Sequence, residues 1–228
     1  MQDPRLANRL SSNQKRFLAE LIGTFVIVVF ATGSVVLDAK YVGTFGLWFV
    51  SMAPAVAVAA MVYAFGKTSM AHFNPAVTVG FLVTKHLPKN LFPIYIAAEI
   101  IGAILGSIFV KYIIGTQVNL GANAPDYHFS IPLIVSVEIL ATALLMAVIL
   151  TVVHTKGLKG FGGIAIGVMV GLDIFFLAFV SGASMNPARS LAPALISGHL
   201  NDLWLYWTAT FIGSSIVAVI YNKFFRNA

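Results

Sequence analysis

Two short helix starts constrain the fold of this chain more than any other feature, because the tripeptide Asn-Pro-Ala occurs twice. Asn is a favourable N-cap, and Pro is favoured at the first position of a helix. Each copy is followed by only about ten helix-compatible residues, which is roughly 15 Å of helix and half the hydrocarbon thickness of a bilayer. The repeat therefore predicts two half-helices that enter a membrane without crossing it. The two copies are Asn74, Pro75, Ala76 and Asn186, Pro187, Ala188.

The composition supports a membrane protein, because 59% of the 228 residues are hydrophobic and only 10% are charged. A soluble domain has about 25% charged residues. Apolar stretches of about twenty residues are typical of membrane helices, whereas a barrel has shorter segments of alternating polarity. The chain has no cysteine, which excludes disulfides and thiolate metal sites. It also shows no nucleophile and base pair, phosphate loop or cofactor motif, so the sequence predicts no enzyme, no cofactor and no metal.

The order of the apolar stretches predicts an all-α membrane protein with six transmembrane helices and two re-entrant half-helices, in one domain over 1–228. A first repeat, about 17–114, and a second, about 131–225, each hold three spans and one half-helix, and a linker of 115–130 joins them. Three is an odd number, so the second repeat has the opposite orientation in the membrane. Inverted repeats with broken helices put a solute path at the midplane. The predicted spans are 17–37, 45–66, 91–114, 131–153, 161–180 and 203–225, and the half-helices are 75–84 and 187–196.

The basic residues predict the orientation of these spans. In the six-span arrangement, eleven of the fourteen lysines and arginines fall on one side. By the positive-inside rule, both termini are then cytoplasmic in a multi-pass protein of the cell membrane. The net charge of +6 is thus a topology signal, and we predict no nucleic-acid partner. The eleven residues are Arg5, Arg9, Lys15, Arg16, Lys67, Lys85, Lys89, Lys156, Lys159, Lys223 and Arg226.

Two half-helices that enter from opposite sides bring two helix N-termini together at the middle of the membrane. Each N-terminus carries roughly half a positive elementary charge and unpaired N–H groups, so this point repels cations and favours lone-pair acceptors. We expect Asn74 and Asn186 to turn amide N–H groups toward a pore. Arg189 lies one helical turn after Asn186, and inserting an arginine into a membrane at this depth costs roughly 2.5 to 3.5 kcal/mol of free energy. We interpret it as a donor that narrows the pore, with a structural ion pair as the alternative.

Four carboxylates lie inside the predicted spans. Glu20 and Glu138 occupy equivalent positions in the two repeats, and we expect them to stabilise the loops before the half-helices by accepting their N–H groups. A proton relay is the alternative role for this pair. Glu99 and Asp173 have no counterpart in the other repeat, and either protonation or an ion pair would accommodate them. Lys111 is a candidate partner for Asp173.

The histidines show no metal-ligand spacing. His72 lies two residues before Asn74, and we expect it to line the inner vestibule of the path. Two glycine stripes, one with Gly102 and one with Gly167, predict close packing between helices rather than chemistry. The histidines predicted to lie in loops are His86, His128, His154 and His199.

Three segments carry a resemblance to a known family, and the resemblance extends over essentially the whole chain. They are 19–24 (AELIGT), 71–78 (AHFNPAVT) and 181–190 (SGASMNPARS). On these segments the chain resembles an aquaporin of the major intrinsic protein family. The residues around the motifs are most similar to those of nodulin-like intrinsic proteins of plants and their prokaryotic relatives. The resemblance implies the aquaporin fold, a pore in each protomer, passive flux and a homotetramer in a lipid bilayer.

The resemblance also implies which residues select solutes near the outer mouth. Pro54 stands where the family usually has an aromatic residue or His, and Ile174 stands where water-selective members have His. Such a filter is wide and apolar, with one charged wall. It implies that water passes, together with small neutral solutes such as glycerol, urea, ammonia or undissociated metalloid acids, while protons and ions are excluded. The four implied filter residues are Pro54, Ile174, Ala183 and Arg189.

Other positions leave alternatives open. Glycerol facilitators of the family tend to have Asp and Lys where this chain has Ser190 and Ala194, which favours a strict water channel. A proton-coupled solute transporter that uses Glu99 or Asp173 is a second alternative. A membrane scaffold without transport is a third. The positions that match the water-channel pattern are Ser190, Ala194, Tyr206 and Trp207.

Overall fold

A computed structural model describes residues 10–155 and 160–225 of the chain, and within them all regular secondary structure is helical. Six helical segments are long and apolar enough to cross a membrane. Two further helices, which we label α3 and α7, are much shorter and begin at the two Asn-Pro-Ala motifs. The helices are α1 Ser12–Lys40, α2 Gly46–Ser69, α3 Pro75–Val83, α4 Phe92–Phe109, α5 Ile131–His154, α6 Gly162–Ser181, α7 Pro187–Ser197 and α8 Leu203–Phe224.

The predicted spans and half-helices are confirmed, with small differences at their ends. The largest is at α1, which begins at Ser12 instead of residue 17. Ser11 and Gln14 form a capping box there, so the first turn of this helix is polar and gives no apolar signal. A 3₁₀ turn, Lys89–Leu91, leads into α4, and a π-helical turn, Val110–Ile114, extends its far end. Five basic residues of the orientation argument lie outside the described residues, namely Arg5, Arg9, Lys156, Lys159 and Arg226.

Glycines allow the transmembrane helices to approach one another closely. A Cβ atom added to Gly102 of α4 would lie 2.4 Å from the carbonyl oxygen of Leu21 in α1. A Cβ atom added to Gly167 of α6 would lie 2.4 Å from the carbonyl oxygen of Ala55 in α2. Small residues of this kind let helix backbones meet in lipid, where no hydrophobic effect drives helices together. The packing role predicted for the glycine stripes is therefore confirmed.

The linker 115–130 is more structured than the sequence predicts. Its segment Gln117–Gly121 contains three consecutive residues in the left-handed helical region, with φ of 47°, 52° and 63° at Val118, Asn119 and Leu120. Leu120 is buried, and an added Cβ at Gly121 would lie 2.6 Å from the carbonyl oxygen of Thr32, so this turn packs tightly against α1. The linker thereby folds back into the helix bundle.

Hydrogen bonds of Asp126 hold the part of the linker that precedes α5. The backbone N–H of Asp126 donates to the carbonyl oxygen of Val180 over 3.0 Å, which ties the linker to the end of α6. The Asp126 carboxyl group accepts the backbone N–H of His128 over 2.9 Å, and this bond keeps the pKa of Asp126 below its usual value. These contacts fix the segment that precedes α5.

The close contact of α1 and α4 gives a test of the fold. We expect Gly102→Ala to lower the unfolding free energy by about 1–3 kcal/mol, because the added methyl group meets backbone that cannot rotate away. The change is measured by thermal unfolding of the detergent-solubilised protein, with size-exclusion chromatography used to quantify the folded fraction at each temperature. Gly66→Ala is the matched control, since an added Cβ at Gly66 has no neighbour within 4 Å. Equal midpoints for the two variants would contradict the packing.

Candidate functional site

The two half-helices begin with the same cap. The Asn74 Oδ1 atom accepts the backbone N–H of Ala76 over 2.9 Å. The Asn186 Oδ1 atom accepts the backbone N–H groups of Ala188, over 3.0 Å, and Arg189, over 3.3 Å. A proline follows each asparagine at the first helical position, where its missing N–H is no loss. The acceptor oxygen of each asparagine is therefore committed to its own helix.

The amide nitrogens of the same two asparagines join the half-helices to each other. Asn74 Nδ2 donates to the carbonyl oxygen of Met185 over 2.7 Å, and Asn186 Nδ2 donates to the carbonyl oxygen of Phe73 over 2.9 Å. Each carbonyl belongs to the residue directly before the other asparagine. An amide has two N–H groups, so one N–H of each asparagine remains for a solute. The meeting point of α3 and α7 thus presents one unused N–H group from each asparagine, while each asparagine oxygen is already hydrogen-bonded to its own half-helix.

The loop before α3 is held by a buried carboxylate of α1. Glu20 is fully buried and accepts two backbone N–H groups, that of His72 over 3.1 Å and that of Phe73 over 2.6 Å. The loop needs such acceptors, because Ala71 and Phe73 adopt positive φ of 53° and 52° and belong to no helix. An unpaired N–H group inside a membrane costs several kcal/mol.

The loop before α7 repeats this arrangement with a carboxylate of α5. Glu138 is fully buried and accepts the backbone N–H groups of Met185, over 2.7 Å, and Ser184, over 3.2 Å. Ala183 and Met185 have positive φ of 39° and 56°, three residues and one residue before the asparagine, as in the first loop. The two loops therefore share both their backbone shape and their means of support.

An elongated cavity of about 260 Å³ passes the two asparagines. Its walls are mainly apolar, and on α2 they extend from Val50 to Val62, which is about 18 Å of helix. The polar groups in the wall are few, so they dominate its chemistry. The residues of the predicted site that line the cavity are Pro54, His72, Asn74, Ile174, Ala183, Asn186 and Arg189.

Arg189 is held by a residue that the sequence analysis did not identify. Its Nη1 atom donates a short hydrogen bond to Asn123 Oδ1, which also accepts the Ser190 hydroxyl group over 2.9 Å. Asn123 Nδ2 donates to the carbonyl oxygen of Gly182 over 2.8 Å, and Asn123 itself lines the cavity. No carboxylate within the described ranges forms an ion pair with Arg189, so the ion-pair alternative is wrong. Nothing in the irregular linker sequence signals this role of Asn123.

His72 belongs to a buried chain of hydrogen bonds. Its Nδ1 atom lies 2.8 Å from the Thr78 hydroxyl group, which in turn donates to Glu99 Oε1 over 2.5 Å. The His72 ring stacks on Phe81 at 4.4 Å between centroids. The second carboxylate oxygen of Glu99 is buried without a hydrogen-bond partner. Glu99 is thus linked to the cavity wall through two side chains.

Asp173 is buried in α6, directly before the cavity-lining Ile174, and its Oδ2 atom has no hydrogen-bond partner among the described residues. The predicted pairing with Lys111 is wrong, because among the described residues Lys111 forms no ion pair and lies instead over the ring of Tyr112, 5.9 Å from its centroid. Lys111 sits in the π-helical turn after α4, whereas Asp173 faces the interior from α6. The sequence offered a basic residue at a suitable depth but could not tell which way either helix is turned.

Two of the other histidines lie against each other. His154 is in the last turn of α5, so its predicted position in a loop is wrong. Its Nδ1 atom donates to the carbonyl oxygen of Leu150 over 2.6 Å, and its Nε2 atom lies 2.8 Å from Nε2 of His86. Within residues 10–155 and 160–225 no group of three or more His, Cys, Asp or Glu side chains could hold a metal ion.

Comparison with known proteins identifies the family. The model of the major intrinsic protein family matches residues 7–221, which is most of the chain. The chain belongs to the major intrinsic protein family. Members of this family are membrane channels rather than enzymes, and the six long apolar helices make this member a multi-pass membrane protein.

Two curated relatives of this major intrinsic protein show how far the similarity extends. The probable aquaporin NIP4-2 of Arabidopsis thaliana is 35% identical over 209 residues, which are 91% of this chain and 74% of the relative. The probable aquaporin AqpM of Archaeoglobus fulgidus is 36% identical over an alignment of 228 positions, with 90% of this chain and 93% of the relative covered.

A solved structure shows the same fold at lower sequence identity. The aquaglyceroporin from Plasmodium falciparum is 22% identical and superposes with a TM-score of 0.78, covering 93% of this chain and 96% of its own. The aquaporin fold predicted from the sequence is therefore confirmed.

The support of the loops by buried carboxylates gives a second test. Glu20 uses both oxygens, one for each loop N–H group. We expect Glu20→Gln to lower the unfolding free energy by about 1–3 kcal/mol, because an amide NH₂ group would then face a backbone donor. Thermal unfolding in detergent measures the loss.

Asp38 provides the matched control for this substitution. A single oxygen of Asp38 accepts the backbone N–H groups of both Phe45, over 2.9 Å, and Gly46, over 2.8 Å. Asn keeps one carbonyl oxygen, so Asp38→Asn should retain both bonds and the wild-type midpoint. A Glu20→Gln midpoint as high as that of Asp38→Asn would show that the second oxygen is not needed.

Proposed function

We propose that this protein is a passive channel for water and small neutral solutes that excludes protons and ions. The observation that supports this most is the cavity beside the two asparagines, where each amide keeps one N–H group while its oxygen is hydrogen-bonded to its own half-helix. A neutral solute with a lone pair can accept these N–H groups in passing. A cation cannot, because it needs oxygen ligands to replace its hydration shell.

The electrostatics of the path supports the exclusion of cations and protons. The N-termini of α3 and α7 meet at the asparagines, and each adds roughly half a positive elementary charge. Arg189 adds a full positive charge on the same cavity wall, and within the described residues no carboxylate is paired with it. A central water molecule that accepts N–H groups from both asparagines has both lone pairs occupied. It therefore cannot accept a proton from the next water molecule along the channel.

The solute range is the finer part of the proposal. Pro54, Ile174 and Ala183 add apolar side chains to the cavity wall that also contains Arg189, which suits small neutral solutes such as glycerol, urea, ammonia and undissociated metalloid acids as well as water. A strict water channel remains the competing assignment, since Ser190 and Ala194 follow the water-channel pattern. Flux measurements decide between them.

A proton-coupled solute transporter is a second candidate, and two observations favour it. Glu99 and Asp173 are buried, and each has a carboxylate oxygen without a hydrogen-bond partner. A coupled transporter needs such a group to carry a proton during its cycle. In proteoliposomes, a solute permeability that rises with an imposed proton gradient would support coupling, whereas a permeability that ignores the gradient supports the channel.

The setting of the channel completes the proposal. We infer that residues 1–228 form one channel domain of two inverted repeats joined by 115–130, with both termini in the cytoplasm and the protein in the cell membrane. The matching loop shapes before α3 and α7 support the repeat. We also propose a homotetramer with a pore in each protomer, since α2 and α6 expose large apolar side chains such as Trp48 and Phe176 that lipid or a neighbouring protomer would cover.

Ile174 provides a test of the solute range. We expect Ile174→His to lower glycerol and urea permeability by about tenfold and water permeability much less, because the imidazole ring reaches further from the helix than Ile and narrows the mouth against the larger solutes. Light scattering by proteoliposomes, with a panel of water, glycerol, urea and ammonia, measures each flux. Ile174→Leu keeps the volume and is the control. Equal loss of all four fluxes would contradict the filter assignment.

Arg189 provides a test of ion exclusion. We expect Arg189→Val to raise proton conductance by about tenfold, which corresponds to about 1.4 kcal/mol of lost barrier. A pH-sensitive dye inside proteoliposomes measures the current under an imposed potential. Arg189→Lys keeps the charge and should keep the barrier. Unchanged conductance in Arg189→Val would mean that the barrier lies wholly at the asparagines.

A further inference from the structure

A recess of about 470 Å³ lies outside the transport path, where the start of α1, the end of α2 and the turn before α4 meet. Of the residues that the structure describes, none lines both this recess and the cavity that passes the asparagines. Its floor is formed by Ser69 and Tyr95, whose hydroxyl group donates to the Ser69 carbonyl oxygen over 2.7 Å. The function proposed above makes no use of this recess.

The charge of the recess is positive. Arg16 and Lys67 both line it, and among the described residues no carboxylate does. Within the described part of the chain neither cation forms an ion pair, and Arg16 has only a long hydrogen bond of 3.5 Å to Asn13. Glu20 lies one turn deeper on α1, but its oxygens accept the N–H groups of the loop before α3. Two cations in one recess, with no counter-ion from the described part of the chain, indicate an anionic ligand.

The depth of the recess indicates where this ligand comes from. The apolar part of α1 starts at Phe17, directly after Arg16, and the apolar part of α2 ends at Gly66, directly before Lys67. The two cations therefore lie at the boundary between hydrocarbon and water, which is the level of lipid phosphates. Basic pockets between the ends of transmembrane helices are sites at which anionic headgroups bind.

We propose that this recess binds the headgroup of an anionic phospholipid, with Arg16 and Lys67 on its phosphate. Thr68 and Asn90 also line the recess, and within the described ranges their side chains make no hydrogen bond, so they are available to the glycerol or ester oxygens of the headgroup. The acyl chains would continue along the apolar surface of the helices. A zwitterionic headgroup would place its own cation beside Arg16 and Lys67 and bind less well.

Native mass spectrometry of the detergent-solubilised protein tests this proposal without reference to transport. Phosphatidylglycerol and phosphatidylcholine are titrated separately, and we expect the anionic lipid to bind at least about fivefold more tightly. Arg16→Gln and Lys67→Gln should each lower its affinity about fivefold, the value of one basic side chain next to an anionic lipid. Higher ionic strength should weaken the binding further, because these charges are partly exposed.

Lys15 and Lys89 are the matched controls, because they lie at the same end of the protein but do not line the recess. Lys15→Gln and Lys89→Gln should bind phosphatidylglycerol as the wild type does. Arg16→Lys and Lys67→Arg keep the charge, should keep most of the affinity, and replace the Gln variants if those fail to fold. Equal affinity for the two lipids, or an equal loss in the control variants, would overturn the proposal.

Inorganic phosphate separates the lipid from a free anion. We expect 10 mM inorganic phosphate, roughly a thousandfold above the free lipid concentrations used in such titrations, to leave the thermal midpoint of the wild type unchanged. A midpoint that rises in the wild type but not in Arg16→Gln, without any preference for phosphatidylglycerol, would assign the recess to a free phosphate and overturn the lipid assignment. These experiments measure lipid binding and thermal stability, not channel activity. Their outcome is therefore independent of the transport proposal.

Discussion

Backbone N–H groups that enter a membrane outside a regular helix must find acceptors inside the protein, and the rest of this structure depends on that constraint. Two loops carry such groups to the middle of the bundle. Glu20 accepts two of them in the first loop, and Glu138 accepts two in the second. Without these carboxylates the loops could not hold their positive φ residues, and α3 and α7 could not begin at mid-membrane. The position of the polar groups in the cavity wall therefore depends on two carboxylates that do not line the cavity.

The two asparagines link the supported half-helices and provide the polar groups of the cavity wall where these helices meet. Each side chain caps its own half-helix through oxygen and joins the other half-helix through nitrogen, so the backbone and side-chain networks fix one orientation of each amide. Arg189 breaks the equivalence of the two halves, because only α7 has an arginine one turn after its cap. Asn123 of the linker holds that arginine on the cavity wall. A connection that joins the repeats thus also contributes a side chain to the cavity wall.

Most of the fold could be predicted from the sequence, because long apolar runs and helix caps are local signals. The role of Glu20 and Glu138 as acceptors of loop N–H groups could also be predicted. A carboxylate inside a span is costly unless it has hydrogen-bond partners, and these two carboxylates occupy equivalent positions in the two repeats. The prediction failed where contact depends on rotation about a helix axis. Lys111 and Asp173 illustrate this, as does the contact of His86 with His154. Asn123 was missed because the left-handed turn before it has no pattern in sequence.

By itself, the sequence determined that this chain has six membrane spans and two capped half-helices, and that they form an inverted repeat of the major intrinsic protein family. Hydrophobic length, the Asn-Pro caps and the odd number of spans per repeat are properties of the chain alone. Only the tertiary structure decided which amide nitrogens pair across the midplane and which residue holds Arg189. It also decided that two basic residues from different helices share one recess. These are distances between segments far apart in sequence, and helix packing sets them.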